Sequence, residues 1–152
     1  MAFIRVGPED FDLGQEMAAL RGEAGDIGAV ASFIGIVRGA AGAPITAMTL
    51  EHYPGMTERA IARMAAEAEM RFALSACRII HRTGCIPIAG QIVLVLTAAG
   101  HRKAALEATS FLIDWLKVAA PFWKKEHLAG GMERWVDAQA ADDSAAARWQ
   151  SS

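Results

Sequence analysis

Cysteine is scarce in this chain, and its placement is uninformative for metals. The two cysteines, Cys77 and Cys85, form neither a CxxC pair nor a Cys/His cluster. No zinc site is expected, and both thiols are read as reduced. Charge of one sign is also missing. Fifteen Lys+Arg stand against 17 Asp+Glu, a net charge of −2, which argues against bulk electrostatic binding to nucleic acid. Long apolar runs are absent too. The longest mainly apolar stretch, residues 92–99, falls far short of the roughly 20 residues that span a bilayer as a helix. The N-terminal MAFIRVGPEDF carries Arg5 and Glu9 and lacks a signal peptide's apolar core. A cytoplasmic protein, with no membrane and no nucleic-acid partner, is therefore expected. Gly28 and Gly35 do not make a GxGxxG fingerprint, and no P-loop or GxSxG elbow exists.

What remains is a globular composition. Hydrophobic residues make up 53% of 152 and charged residues 21%, the balance of a chain that buries a core. No repeat or composition break precedes residue 138. The simplest organisation is one domain over residues 1–138 and a short polar tail over residues 139–152. The tail has the composition of a short helix, with Trp149 placed to dock it.

Residues 29–37 (AVASFIGIV), 45–51, 77–81 and 91–98 read as strands, apolar and rich in β-branched residues. The last two suggest a hairpin with a long connection through Thr83-Gly84 and Ala89-Gly90. A helix opens after Pro54-Gly55, with Thr57 as its expected N-cap and Ile61, Met64, Ala65, Ala68 and Phe72 as its apolar stripe. A second spans residues 102–118 and stops before Pro121. An earlier one covers residues 11–21. Beyond Pro121 the period changes to that of a β-hairpin around Gly130-Gly131. Strands and helices mix without a βαβ rhythm, which gives an α+β domain with mixed or antiparallel sheets and a C-terminal β-hairpin.

The stretch Leu116-Lys117-Val118-Ala119-Ala120-Pro121-Phe122-Trp123-Lys124-Lys125-Glu126 carries the sharpest chemical signal. Lys117 closes an apolar helix, and Lys124 follows the turn in a strand. Alternation puts Lys124 and Lys125 on opposite strand faces, one toward a pocket and one toward water. Two ammonium groups brought together by the Pro121 turn would depress each other's pKa and suit acid, base or nucleophile chemistry. A lysine complementing a helix dipole and another guarding an edge strand explain the same residues structurally, and spacing alone leaves both readings open. Gly100-His101-Arg102 at a helix start reads as an anion site or as a simple cap. Arg38 and His81-Arg82 add cations at strand ends. Together these features suggest an anionic small ligand without naming a reaction.

Six segments, in order, supply more. They are Gly28-Ala29-Val30 with Phe33-x-Gly35-x-Val37-Arg38; Leu50-Glu51-His52-Tyr53-Pro54-Gly55-Met56; Ile80-His81-Arg82-x-Gly84; His101-Arg102 with Ala105 and Ala108; Asp114-x-Leu116-Lys117 followed by Pro121-x-Trp123-Lys124-Lys125-Glu126; and Arg134-Trp135-Val136. In these the chain closely resembles the molybdopterin synthase large-subunit family over nearly its whole length. The resemblance implies an α/β-hammerhead fold and a sulfurtransferase without a cofactor or metal. It implies a homodimer that binds a small ubiquitin-like sulfur carrier at each end, giving a heterotetramer. The carrier's C-terminal Gly-Gly thiocarboxylate would supply sulfur to cyclic pyranopterin monophosphate, two carriers per molybdopterin. By position, Lys117 and Lys124 match catalytic lysines, and Arg38, His101 and Arg102 match a pterin-phosphate site drawn from both subunits. Lys125 and Arg134 match positions that help hold the carrier tail. The chain departs from the family at Gln91, where an acidic residue is more usual, at Gly100, where serine is, and in the short loop over residues 39–44. A non-catalytic module that binds the carrier, and an unrelated anion-binding domain, are the competing readings.

Overall fold

The computed structural model describes residues 1–39, 44–136 and 140–150. In chain order the elements are β1 (Phe3–Gly7), α1 (Leu13–Arg21), β2 (Ala29–Ile36), β3 (Ile45–His52), α2 (Met56–Phe72), β4 (Ala76–Arg82), β5 (Gly84–Pro87), β6 (Gln91–Ala99), α3 (Arg102–Val118), β7 (Phe122–Leu128), β8 (Glu133–Trp135) and α4 (Ala140–Ala147). They build two four-stranded sheets, β1-β4-β6-β2 and β5-β3-β7-β8. The first is mixed, because β1 runs parallel to β4 while β2 and β4 run antiparallel to β6. The second is antiparallel throughout. The α+β class expected from the sequence is the class observed.

β6 is central, and its residues from Val93 to Ala99 are all buried, as its nearly unbroken Ile/Val/Leu run requires. On one side, α2 and α3 pack Ile61, Ala65, Phe111 and Leu112 against Cys77, Ile79, Val93 and Val95. On the other, Phe11 and Leu20 of the α1 region pack on Ile80, Leu94 and Leu96. The second sheet closes on the first through Val37, Leu50 and Ile86.

Two local expectations need correction. Thr57 is not the N-cap of α2. The cap is Gly55, at φ +84°, whose N–H donates to both carboxylate oxygens of Glu58 at 3.2 Å. Thr57 is buried inside the first turn instead. Its Oγ1 accepts from the Tyr53 N–H at 3.1 Å and donates to the Pro121 carbonyl at 3.2 Å, so it ties the start of α2 to the start of β7. The connection between β4 and β6, expected as turn, contains β5, which pairs with β3 over Gly84 to Pro87. The glycine and proline there hide a strand whose partner is distant in sequence. β1, a second strand beyond those anticipated, fills the open edge of β4.

At the C-terminal side, Gly130 and Gly131 turn the β7–β8 hairpin with φ of +91° and +86°, a region that favours glycine. Trp149 docks edge-on against Phe72 and Phe111, and its Nε1–H donates to Asp114 Oδ2 at 2.6 Å. Residues 40–43 of the loop between Gly39 and Pro44, and residues 137–139 and 151–152 near the C-terminus, lie outside the described set.

Candidate functional site

The strand registers sort the candidate residues by end of the first sheet. His81 pairs with Val93, and Ile36 with Gln91, so the end of β4, the start of β6 and the end of β2 coincide. α3 returns antiparallel to β6. Near its start, Ala105 packs with Ala99 and Ala31, and later Phe111 and Leu112 reach Val95 and Val93. The C-terminus of α3, with Lys117 in its last turn, therefore arrives at the end that carries His81 and Arg38. β7 continues from there. In register with His52 and Leu50 of β3, it places Phe122 and Lys124 two residues apart on one face. Leu50 is 1% exposed, so that face points inward. Lys124 is half-buried there, while Lys117 and Arg38 are exposed.

His81 lies at the centre of this group. Its ring is 5% exposed and stacks on Phe122 with centroids 3.8 Å apart and planes 17° from parallel. His52 lies against Phe122 at 6.4 Å, and its Nε2 is 3.9 Å from Glu58 Oε1. Burial pushes the His81 imidazole pKa down to about 4, a contact with the Arg82 carbonyl partly opposes this, and the Lys124 and Lys117 ammonium groups and the His52 ring depress it further. Lys117 and Lys124, joined in sequence by a proline turn, thus both contribute to holding this ring neutral. The two histidines are the part that spacing did not reveal, since nothing in Ile80-His81-Arg82 signals that the middle residue is enclosed.

Arg82 is not an available cation. It donates to the Gln91 carbonyl at 2.8 Å and the Pro8 carbonyl at 3.2 Å. The Gln91 side chain in turn donates to Asp10 Oδ1 at 2.9 Å and to the Phe11 carbonyl at 2.8 Å. With the Phe11 N–H and nearby arginines, this holds the Asp10 carboxyl below its usual range. An acidic residue at position 91 could not make these donations, so the amide suits the local partners of this chain.

Lys125 and Arg134 both have partners within the hairpin. Lys125 Nζ lies 3.3 Å from Glu133 Oε2 and 4.8 Å from the Trp135 ring centroid. Arg134 donates from Nε and Nη2 to Glu126 Oε1 at 2.8 and 2.6 Å. Lys125 and Lys124 occupy opposite faces of β7, as alternation requires.

His101 and Arg102 are elsewhere. Ala29 pairs with Ala99, so these two exposed residues sit at the far end of β2 from Arg38, about 25 Å away by strand rise. His101 holds the N-cap backbone position of α3 without a side-chain capping bond. Beside it, a Cβ on Gly28 would lie 2.1 Å from the Gly100 carbonyl oxygen, so glycine is what lets β2 approach this helix start. One chain therefore brings together Lys117, Lys124, Arg38 and His81, but not His101 and Arg102. Among the described residues no group of three or more His, Cys, Asp or Glu is placed to hold a metal ion, and no helix is long and apolar enough to cross a membrane.

Comparison with known proteins places this arrangement. The family model described as MoaE protein matches residues 6–119. A Ralstonia nicotianae protein named molybdopterin synthase catalytic subunit is 53% identical over 150 residues, covering 98% of this chain and 85% of that protein. A protein of the same name from Mesorhizobium japonicum is 51% identical over 150 residues, covering 98% of this chain and 94% of its own length. The solved molybdopterin biosynthesis MoaE protein from Burkholderia ambifaria MC40-6 superposes with a TM-score of 0.85 at 49% identity, over 100% of both chains. With the family model spanning most of the sequence and relatives above half identity along nearly all of it, this chain belongs to the MoaE protein family.

Proposed function

We propose that this chain is the catalytic subunit of a molybdopterin synthase, a cytoplasmic sulfurtransferase that acts without a cofactor. It moves sulfur from the C-terminal thiocarboxylate of a small ubiquitin-like carrier to cyclic pyranopterin monophosphate. The carrying observation is that the last turn of α3, with Lys117, and the inner face of β7, with Lys124, meet the same end of the first sheet, where Phe122 of β7 stacks on the buried His81. Two ammonium groups there neutralise an incoming thiocarboxylate. They also stabilise the negative charge that develops as sulfur attacks the pterin and, afterwards, as water releases the carrier as a carboxylate. Two carriers are consumed per dithiolene.

Arg38 marks the phosphate side of the same end. A site that also contains His101 and Arg102 then takes them from the partner subunit, because within one chain they lie at the opposite end of β2. The open edge of β2 supports this. Among the described strands its only neighbour is β6, and residues 27–37 carry no charge. Such an edge needs cover, and a second copy running antiparallel along it would bring each Arg38 toward the other subunit's α3 start. Lys125 and Arg134, already paired, hold the hairpin beside the carrier tail. Residues 1–138 form the catalytic unit, with residues 139–152 as a tail.

The test is product formation from purified chain, thiocarboxylated carrier and cyclic pyranopterin monophosphate, read as the fluorescent oxidised pterin. Lys117→Ala and Lys124→Ala should each lower kcat at least about 100-fold while the carrier complex still forms. Full turnover in both variants would sink the lysine assignment. No product from the wild-type chain would sink the function.

A further inference from the structure

The proposed sulfur transfer uses the inner face of the second sheet and leaves the outer face without a role. The strand registers fill that outer face with two adjacent rows of side chains. One row runs Cys85, Thr49, Lys125, Trp135 across β5, β3, β7 and β8, and the next runs Pro87, Ala47, His127, Glu133. Thr49, Lys125 and His127 are half-buried, while Cys85, Glu133 and Trp135 are exposed. The small side chain of Ala47 leaves His127 room to lean diagonally across to β3, and Thr49 Oγ1 lies 2.6 Å from His127 Nε2. The other ring nitrogen, Nδ1, lies 3.4 Å from Glu133 Oε1. The second oxygen of the same carboxylate lies 3.3 Å from Lys125 Nζ, and that ammonium sits 4.8 Å from the Trp135 ring centroid. From β3, Thr46 Oγ1 donates to the His127 carbonyl at 3.2 Å, which fixes the backbone beneath the ring.

We propose that this outer face is a second, acyl-transferring site for small esters, with Thr49 as nucleophile, His127 as its general base and Glu133 as the carboxylate that positions the base. A carboxylate beside Nδ1 favours the tautomer with the ring proton on that nitrogen. The Nε2 lone pair is then directed at the Thr49 hydroxyl, within the reach that a nucleophile and its base require. As Thr49 Oγ1 bonds to the ester carbonyl carbon, its proton passes to Nε2, and the imidazolium so formed faces the Glu133 carboxylate. Collapse of the adduct breaks the bond to the alcohol, which leaves with the proton from Nε2. Water, deprotonated by the same nitrogen, then cleaves the acyl-threonine to a carboxylic acid and restores the hydroxyl. Lys125, the cross-strand neighbour of Thr49, is the cation on this face for the charge that develops on the carbonyl oxygen. The exposed Trp135 ring gives a flat apolar surface to an aryl or alkyl group. Lys117 and Lys124 take no part, so this activity and the sulfur transfer stand or fall separately.

The probe is p-nitrophenyl acetate, given to the purified full chain carrying Cys85→Ser, so that the exposed thiol next to Thr49 cannot take the acetyl group itself. Nitrophenolate release should exceed that from free imidazole at the same concentration. Peptide mapping of acid-quenched protein should find acetyl on Thr49, as an ester that hydroxylamine removes. In the same background T49S should keep the rate within about threefold, and H127Q should lower it at least about tenfold. E133Q keeps the shape of the side chain and loses its charge. It should lower kcat about tenfold with KM within about twofold, and shift His127 away from the Nδ1–H tautomer in a two-bond 1H–15N spectrum. A mere brace for the hairpin predicts none of this chemistry. No acetyl on Thr49, acetyl confined to lysines, or an H127Q chain as fast as its parent overturns the proposal. The acetyl map needs only the C85S chain, so the proposal stays open to refutation even if a variant at position 127 or 133 fails to fold.

Discussion

At the scale of single residues, burial separates chemically similar groups. Cys77 is fully buried, and desolvation, reinforced by Glu69 and Glu23, pushes its thiol up to about 12, whereas Cys85 is exposed. Since the thiolate is the reactive form, a thiol reagent at neutral pH should titrate one cysteine in the native protein and two after denaturation. Two fast equivalents in the native state would contradict the fold around β4. His81 gives a second prediction, with a definite sign. Above about pH 6.5 the folded and unfolded chains both hold this ring neutral. Between about 6.5 and about 4 only the unfolded chain takes up the proton, so stability falls as pH drops across that window, by ~3 kcal/mol in all. The Asp10 carboxyl, held below its usual range, gives up its contribution only at lower pH. Urea midpoints measured down this range should fall for the wild type, and the part due to His81 should be missing in H81F. The two lysines were legible in the sequence because a helix end and a strand separated by one proline turn are local facts. His81 was not, because its enclosure depends on Phe122, 41 residues later in the chain.

At the scale of elements, periodicity and punctuation located the long helices and the apolar strands. It failed where an element exists only through a distant partner. β5 is four residues holding a glycine and a proline, and β3 makes it a strand. The start of α2 was misplaced for a related reason. Thr57 has the chemistry of an N-cap, but its hydroxyl is engaged by the carbonyl of Pro121, just before β7, and Glu58 caps Gly55 instead. The junction of β2 with the start of α3 yields a third prediction. Gly28→Ala would drive a methyl group onto the Gly100 backbone, where no side chain can yield. It should cost about 1–3 kcal/mol by thermal or urea unfolding and displace the His101-Arg102 turn. By contrast, a Cβ on Gly100 would meet only the Asp26 carbonyl at 4.0 Å, so a serine would fit there without strain. A G28A chain as stable as wild type would show that this junction is looser than its geometry implies.

At the scale of the whole molecule, the sheet registers decide which charges can cooperate. The sequence showed a set of cations at element ends. It did not show that Arg38 and the His101-Arg102 pair sit at opposite ends of the same strand, because that depends on β6 pairing with β2 in an antiparallel sense. If two copies cover each other's β2 edge, Ser32, exposed and near the middle of that strand, lies near its own counterpart. Ser32→Lys would then set like charges against each other across the two-fold axis. It should yield monomers by size-exclusion chromatography and a loss of turnover of at least about tenfold, with little change in the monomer's thermal midpoint. A dimeric, fully active S32K chain would move the interface elsewhere.

The two lysines stand on different foundations. Lys117 rides on α3, which is packed against the first sheet. Lys124 belongs to the second sheet, which is fastened to the first through Val37, Leu50 and Ile86. The distance between the two ammonium groups therefore works as a caliper for the angle between the sheets. A slight hinge opening, caused by a poorly filled joint or by a carrier wedged against the hairpin, would be amplified at the lysine tips. If the proposed lysine chemistry holds, its rate is consequently sensitive to the hydrophobic joint of Val37, Leu50 and Ile86.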